Sequence, residues 1–265
     1  MQIEFIGCTS AGKSTLVGAA IRACEQLGIE ATLGNDCVLM WNRLSWARGY
    51  FVRRFFAELF AFFSCLRHWH KHRQFYRFAA RMVLRLPASV GWFEKLNTLR
   101  TVFRNIGIYE IVRRRGSEQQ VVLLDEGTLH TAHYLFFHYS VGLDPNDLST
   151  FVKLVPLPDV VIYLQQEPEI LIKRTIRRGH RRIPDRSPTV TERFIRHTMA
   201  TFERLTQASV INSKMLLVDS RQNIHAPEDY RSDVSLVMAL NIIRSAVDFV
   251  VADDSKGPVF DQKTS

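Results

Sequence analysis

Five short apolar runs recur along the chain: Gln2-Ile3-Glu4-Phe5-Ile6, residues 29–33, Val121-Val122-Leu123-Leu124, Val160-Val161-Ile162-Tyr163-Leu164 and Met215-Leu216-Leu217-Val218. They are too short for helices, and the later ones read as strands buried on both faces. Helical patterns separate them. This alternation predicts an α/β fold with a five-stranded parallel sheet flanked by helices on both faces. Ligands on such sheets bind at the carboxyl ends of the strands, where Gly7, Asp36, Asp125 and Asp219 are expected to gather.

Between Asp36 and Gln120 the pattern changes to long helices rich in aromatic and basic residues, predicted over 41–65, 67–86 and 91–115 and interrupted at Pro87. They form a helical insertion over about 37–115 in a single domain of residues 1–250. The run from Phe55 to Phe63 is shorter than the roughly 18 residues of a membrane span and contains Glu58. Two readings stand: a helix buried on most sides beside the sheet, which is the commoner fate of apolar stripes, or an amphipathic surface that meets anionic lipid or a hydrophobic acceptor. Residues 251–265 lack periodicity and are expected to form a disordered tail.

Charge sharpens this division. The chain carries a formal +9, yet the stretch from Arg43 to Arg115 holds sixteen Lys/Arg against three Asp/Glu, so the remainder is net negative by four. The basicity belongs to the helical insertion, which predicts something anionic nearby. No RNA-binding aromatic-glycine motif, zinc finger or basic zipper accompanies it, so nucleic acid is the weaker partner and an anionic membrane surface the stronger. The four cysteines, Cys8, Cys24, Cys37 and Cys65, lack metal-ligand or disulfide spacing and are expected to be reduced and mostly buried. With no signal-like stretch before the first strand, the expected location is the cytoplasm, with peripheral membrane contact through the insertion.

The strongest chemical signal follows the first strand. Gly7-Cys8-Thr9-Ser10-Ala11-Gly12-Lys13-Ser14 has the spacing G-x-x-x-x-G-K-S, with a helical pattern from Thr15 onward. Two glycines let the backbone curl so that N–H groups point at a polyphosphate, and the helix N-terminus adds positive potential. Gly7, Ser10, Ala11, Gly12, Lys13, Ser14 and Thr15 are therefore expected to bind ATP, with Lys13 on the β/γ-phosphates and Ser14 as a Mg²⁺ ligand. The fold is thus expected to be that of a P-loop NTPase. Asp125 closes the third strand, where a Walker B carboxylate sits, and is the second expected Mg²⁺ ligand, with Glu126 beside it.

A second constellation runs from Leu157 to Arg186. Pro158-Asp159 precedes a strand, Pro168-Glu169 opens a helix, and Arg174 and Arg178-Gly179 lead into an arginine-rich lid over about 178–187. Arg174, Arg177 and Arg178 lie on adjacent turns of one helix end, with Arg181, Arg182 and Arg186 beyond, so several guanidinium groups can close over a polyphosphate. Here the chain resembles the thymidylate kinase and deoxynucleoside kinase superfamily of P-loop phosphotransferases. The resemblance implies catalytic roles for Lys13, Asp125, Arg174 and Arg178, and a contact of Arg182 with the nucleotide. It makes Asp36, five positions before Trp41, the base that takes the acceptor proton, with Trp41 lining the acceptor pocket; the alternative is that Asp36 caps a helix. Glu126 is the rival base. The family signature after the third strand contains an arginine, whereas here the residues are Asp125-Glu126-Gly127.

His130 and His133, three residues apart, share a helical face and suit packing or acceptor hydrogen bonding better than metal, with His130 the candidate acceptor contact. The segment from Asp219 to Asn223 corresponds to the adenine-contacting loop of related kinases. These readings converge on an ATP- and Mg²⁺-dependent kinase. Its acceptor is a nucleoside or nucleoside monophosphate by resemblance, or else a sugar, glycolipid or antibiotic hydroxyl. A nucleotide-switched binding protein or NTPase is the reading of a different class.

Overall fold

The computed structural model describes residues 1–41, 49–88, 90–115, 120–136, 142–180, 183, 187–219 and 231–254. Its centre is a parallel sheet. Strand β1 (Gln2–Gly7) lies in the middle, between β3 (Val121–Leu124) and β4 (Val160–Gln165); β2 (Ala31–Leu33) flanks β3 and β5 (Met215–Asp219) flanks β4, giving the order β2-β3-β1-β4-β5. Ile3 pairs with Leu123 on one side, and Phe5 with Ile162 on the other. Every residue of β1 is buried, which is why its sequence reads as a continuous apolar run around the single acid Glu4.

Helices cover both faces, as parallel crossovers require. Alternation along β3 divides the core: Val121 and Leu123 join the main cluster, while Val122 and Leu124 pack against α2 (Gly34–Trp41), α3 (Tyr50–Arg67) and α5 (Trp92–Arg115). With α4 (Trp69–Leu84), these helices make up the crossover from β2 to β3. The return from β3 to β4 uses the short α6 (Thr131–Leu135) and α7 (Pro145–Leu154), the latter capped by Asp144, whose side chain accepts from the Asn146 N–H. Helices α8 (Pro168–Arg178), α9 (Pro188–Thr206) and α10 (Ser209–Asn212) lead into β5. Helix α11 (Arg231–Asp254) lies along α1 (Lys13–Gln26), burying Ala239, Ile243 and Ala246. Its segment Ser235–Ala252 is long and apolar enough to cross a membrane by length and composition.

The structure corrects several boundaries. Strand β2 starts at Ala31, not at residue 29. The helix expected over 41–65 is two, because α2 begins directly after β2 and α3 starts only after Gly49; residues 42–48 lie outside the described residues. The crossover helices therefore begin at Gly34 rather than at 37. The tail starts later than 251, since α11 continues to Asp254 and the described residues end there.

The larger correction concerns α3. Its buried positions are Ala57, Ala61 and Cys65, while Phe51, Phe55, Phe62 and Phe63 face solvent. The cause is the neighbour: a Cβ placed on Gly107 of α5 would sit 1.9 Å from the Ala61 carbonyl oxygen. Backbones this close exclude large side chains, so α3 docks by its alanines and turns its phenylalanines outward. All four cysteines are reduced and buried.

Candidate active site

The phosphate loop is built by backbone geometry at the end of β1. Gly7 has φ 145°, and a Cβ there would meet the Leu164 carbonyl oxygen of β4 at 2.7 Å, so only glycine lets the chain leave the sheet here. Gly12, at φ 97°, turns the chain into α1. The Lys13 ammonium is folded back into this curl and donates to the Gly7 and Cys8 carbonyls, both at 3.0 Å. Desolvation pulls its pKa below the ordinary lysine value, while the charges of Asp125 and Glu126 act the other way. Next to it the Ser14 hydroxyl donates to Asp125 Oδ2 at 2.8 Å, joining the start of α1 to the tip of β3.

Helix α8 is fastened to the same loop. The Thr175 hydroxyl donates to Ser10 Oγ at 3.0 Å, and Arg174 Nη1 donates to the Ser10 carbonyl at 3.4 Å. Ser10 holds a positive φ of 64°, unusual for a residue with a side chain, and these two contacts grip it. One turn on, Arg178 projects into a cleft of about 760 Å³ that runs from the phosphate loop to the crossover helices.

The far wall of that cleft comes from α2, α3 and α5. Asp36, in the first turn of α2, accepts from Arg53 Nη2 at 2.9 Å. Glu58 accepts from both Arg54 and Arg100, crossing from α3 to α5. Partial burial opposes its ionisation, but the two guanidinium groups outweigh that and hold its pKa below the ordinary carboxyl value. Arg104 donates to Asn35 at 2.7 Å; burial lowers its pKa, and Glu126 and Glu58 support the charge. Asn97, Thr98 and Thr101 add neutral hydrogen-bonding groups, and Leu39 is the single aliphatic side chain among the described lining residues. Such a wall suits a ligand rich in polar groups.

Beneath the cleft lies Glu4, fully buried in β1. Its carboxylate accepts the backbone N–H of Leu129 at 3.2 Å and of His130 at 2.8 Å, together with the Thr128 hydroxyl at 3.3 Å. Gly127 permits this approach, since a Cβ there would lie 2.4 Å from the Glu4 carboxyl group. Burial raises the Glu4 pKa to about 7 against the pull of those donors. Asn105 of α5 holds the same loop from the other side, donating to the Gly127 carbonyl at 2.8 Å. The loop carrying Asp125 and Glu126 is thus fixed from below and from the flank.

Of the residues singled out from sequence, Ser10, Lys13, Ser14, Asp36, Asp125, Glu126, His130 and Arg178 line this one cleft. Arg174 touches the loop from behind. Gly7, Ala11 and Gly12 shape the loop, and Thr15 is exposed at the start of α1. Asp219 closes β5 at the sheet edge and does not line the cleft. Asp36 is not a residue preceding its helix: it lies within the first turn of α2, which begins at Gly34, so the capping alternative fails. His130 precedes α6 rather than lying in it, and its ring stacks on that of His133 with centroids 5.2 Å apart. The side chain of Trp41, Arg182 with half of the 178–187 lid, and the loop beyond Asp219 lie outside the described residues.

Sequence reasoning missed Arg53, Arg54, Arg100 and Arg104, which give the cleft guanidinium groups although the loop after β3 has none, and Glu58, which pairs with two of them. The concentration of arginine over 43–115 was their one signal. Thr175 and Glu4 were missed as well, and an acid inside a fully buried strand was the available clue to the second.

No family model and no curated protein matches this chain. Solved structures with similar chain traces include deoxyadenosine kinase from M. mycoides with the products dCMP and a flexible dCDP, at 16% identity over 92% of this chain and 100% of that one, TM-score 0.45. The same enzyme with bound dATP aligns at 15% identity over 94% and 100%, TM-score 0.46, and with bound dCTP at 15% over 94% and 99%, TM-score 0.42.

Proposed function

We propose that this chain is an ATP-dependent phosphotransferase that moves a γ-phosphoryl group to a hydroxyl of a small acceptor held against α2, α3 and α5. One observation carries the reading: Lys13 and the Ser14–Asp125 pair open onto the same cleft as Asp36, Glu126 and the guanidinium groups of α3, α5 and α8. Phosphoryl transfer through a loose transition state needs little covalent help from the protein and much positioning and charge neutralisation.

In this reading the loop N–H groups and Lys13 take the β/γ-phosphates, and Arg178 closes on them from the lid side while Arg174 steadies Ser10. Ser14 and Asp125 present the hard oxygen donors that suit Mg²⁺, which, when bound with the nucleotide, supplies neutralisation of phosphate charge. Asp36 orients the acceptor hydroxyl and takes its proton late, with Arg53 holding its carboxylate in place. Resemblance ranks a nucleoside or nucleoside monophosphate first among acceptors; the polar wall also suits a sugar, glycolipid or antibiotic.

The test is Mg·ATP consumption against a panel of nucleosides, nucleoside monophosphates and sugars, with Lys13→Ala as the blank. Stimulation by one pool supports the proposal and names the acceptor class. Slow hydrolysis indifferent to every acceptor would favour a nucleotide-switched binding protein.

A further inference from the structure

The outward face of α3 departs from what apolar residues normally do in a folded chain. Phe55 is 63% exposed, Phe62 47%, Phe63 57% and Leu66 50%, with Phe51 and Val52 exposed one turn earlier. At about 100° per residue these positions fall within about one third of the helix circumference, and no charged residue interrupts them. The stripe runs along an 18-residue helix, about 27 Å at 1.5 Å per residue. A contiguous apolar face of this length marks a contact surface, not scattered exposure.

We infer that this face docks α3 on an anionic lipid surface, lying in the plane of the interface with its phenylalanines at the boundary between headgroups and acyl chains. The charge around it selects the occupant. Arg67 ends α3, and α4, which follows at once, contains no acidic residue and exposes Lys71, Arg73, Arg77 and Arg81, with Arg85 exposed directly after it. Lys71 and Arg85 are engaged with Glu110 and Asp147, whereas Arg67, Arg73, Arg77 and Arg81 have no carboxylate within ion-pair distance among the described residues. Exposed aromatic side chains beside unmatched arginines are the pattern of helices that bind the headgroup region, each basic residue there adding to the attraction.

A second copy of the chain suits the face less well. It would bring two strongly basic segments together, and a stable dimer takes roughly 20–30 residues a side, more than one helix face offers. The same helix supplies Arg53, Arg54 and Glu58 to the cleft. A docked α3 therefore holds the mouth of the cleft near the headgroups. The docking itself does not rest on the phosphotransferase reading.

The experiment is co-sedimentation of the full chain with vesicles of phosphatidylcholine alone or mixed with phosphatidylserine, for wild type, Phe55→Ser/Phe62→Ser and Arg73→Glu/Arg77→Glu. The expected result is binding to the anionic vesicles that weakens with salt. Each double variant should lose about tenfold or more in affinity, roughly 1.4 kcal/mol, with ATP binding and thermal unfolding unchanged. Absence of wild-type binding, or equal binding by Phe55→Ser/Phe62→Ser, would overturn the inference. So would wild-type dimers in sedimentation velocity that separate in the Phe55→Ser/Phe62→Ser variant, which would assign the face to a second copy.

Discussion

The two halves of the cleft are built on different principles. The phosphate half is local: eight consecutive residues, two of them glycines at φ 145° and 97°, fix a curl whose donors are backbone N–H groups. The half proposed to hold the acceptor is assembled from afar. Asp36, Arg53, Glu58, Arg100 and Arg104 come from three helices and meet because Gly107 lets α5 approach the backbone of α3 at Ala61. A local cradle survives changes in its surroundings, whereas an assembled wall depends on helix packing some distance from the ligand. Substitutions in the two halves should therefore fail differently.

The largest expected effect is in the phosphate half. Lys13→Ala should lower phosphoryl transfer about a thousandfold, the upper range for losing one charge-stabilising donor, with little change in thermal unfolding. Steady-state kinetics beside calorimetry checks both parts; a parallel loss of stability would make Lys13 structural.

Glu4 underlies both halves and gives a pH signature. Its folded pKa of about 7 exceeds the ordinary value of 4.5, so the folded chain binds more protons between those limits. Its contribution to stability is present below about pH 4.5 and is lost as pH rises through 7, by on the order of 3 kcal/mol. Urea unfolding across this range should show the decline in wild type and a flatter profile in Glu4→Gln. An unchanged slope in the variant would remove Glu4 from the account.

In the acceptor half, Asp36→Asn should lower kcat about a hundredfold and leave ATP affinity near wild type. If Glu126→Gln carried that loss and Asp36→Asn did not, the two carboxylates would exchange roles. The smallest effect expected is that of Gly107→Ala, whose added methyl would push α3 away from α5. It should cost about 2 kcal/mol and raise the acceptor KM while sparing that of ATP. An equal rise in both KM values would erase the distinction between the halves.

The same contrast explains what the sequence disclosed. The strands, the phosphate loop and Asp125 were legible because each is encoded within a few residues. The orientation of α3 was not: periodicity identifies an apolar helix, but which face is buried depended on a glycine some fifty positions away, and the alanines won over the phenylalanines. Asp36 was legible as a carboxylate near the cleft and illegible as the partner of Arg53, because the fold of the crossover decides that pairing. Glu4 looked like a polar blemish in a strand, although an acid buried on both sides must find donors, and those lie more than 120 residues onward.

The central claim is that one cleft transfers phosphate from ATP to a hydroxyl, and phosphorus NMR of the products tests it most directly. With Mg·ATP and the acceptor chosen by the panel, the account predicts a new phosphomonoester resonance growing in step with ADP and absent for Lys13→Ala. Inorganic phosphate growing in step with ADP, with no phosphomonoester, would contradict it.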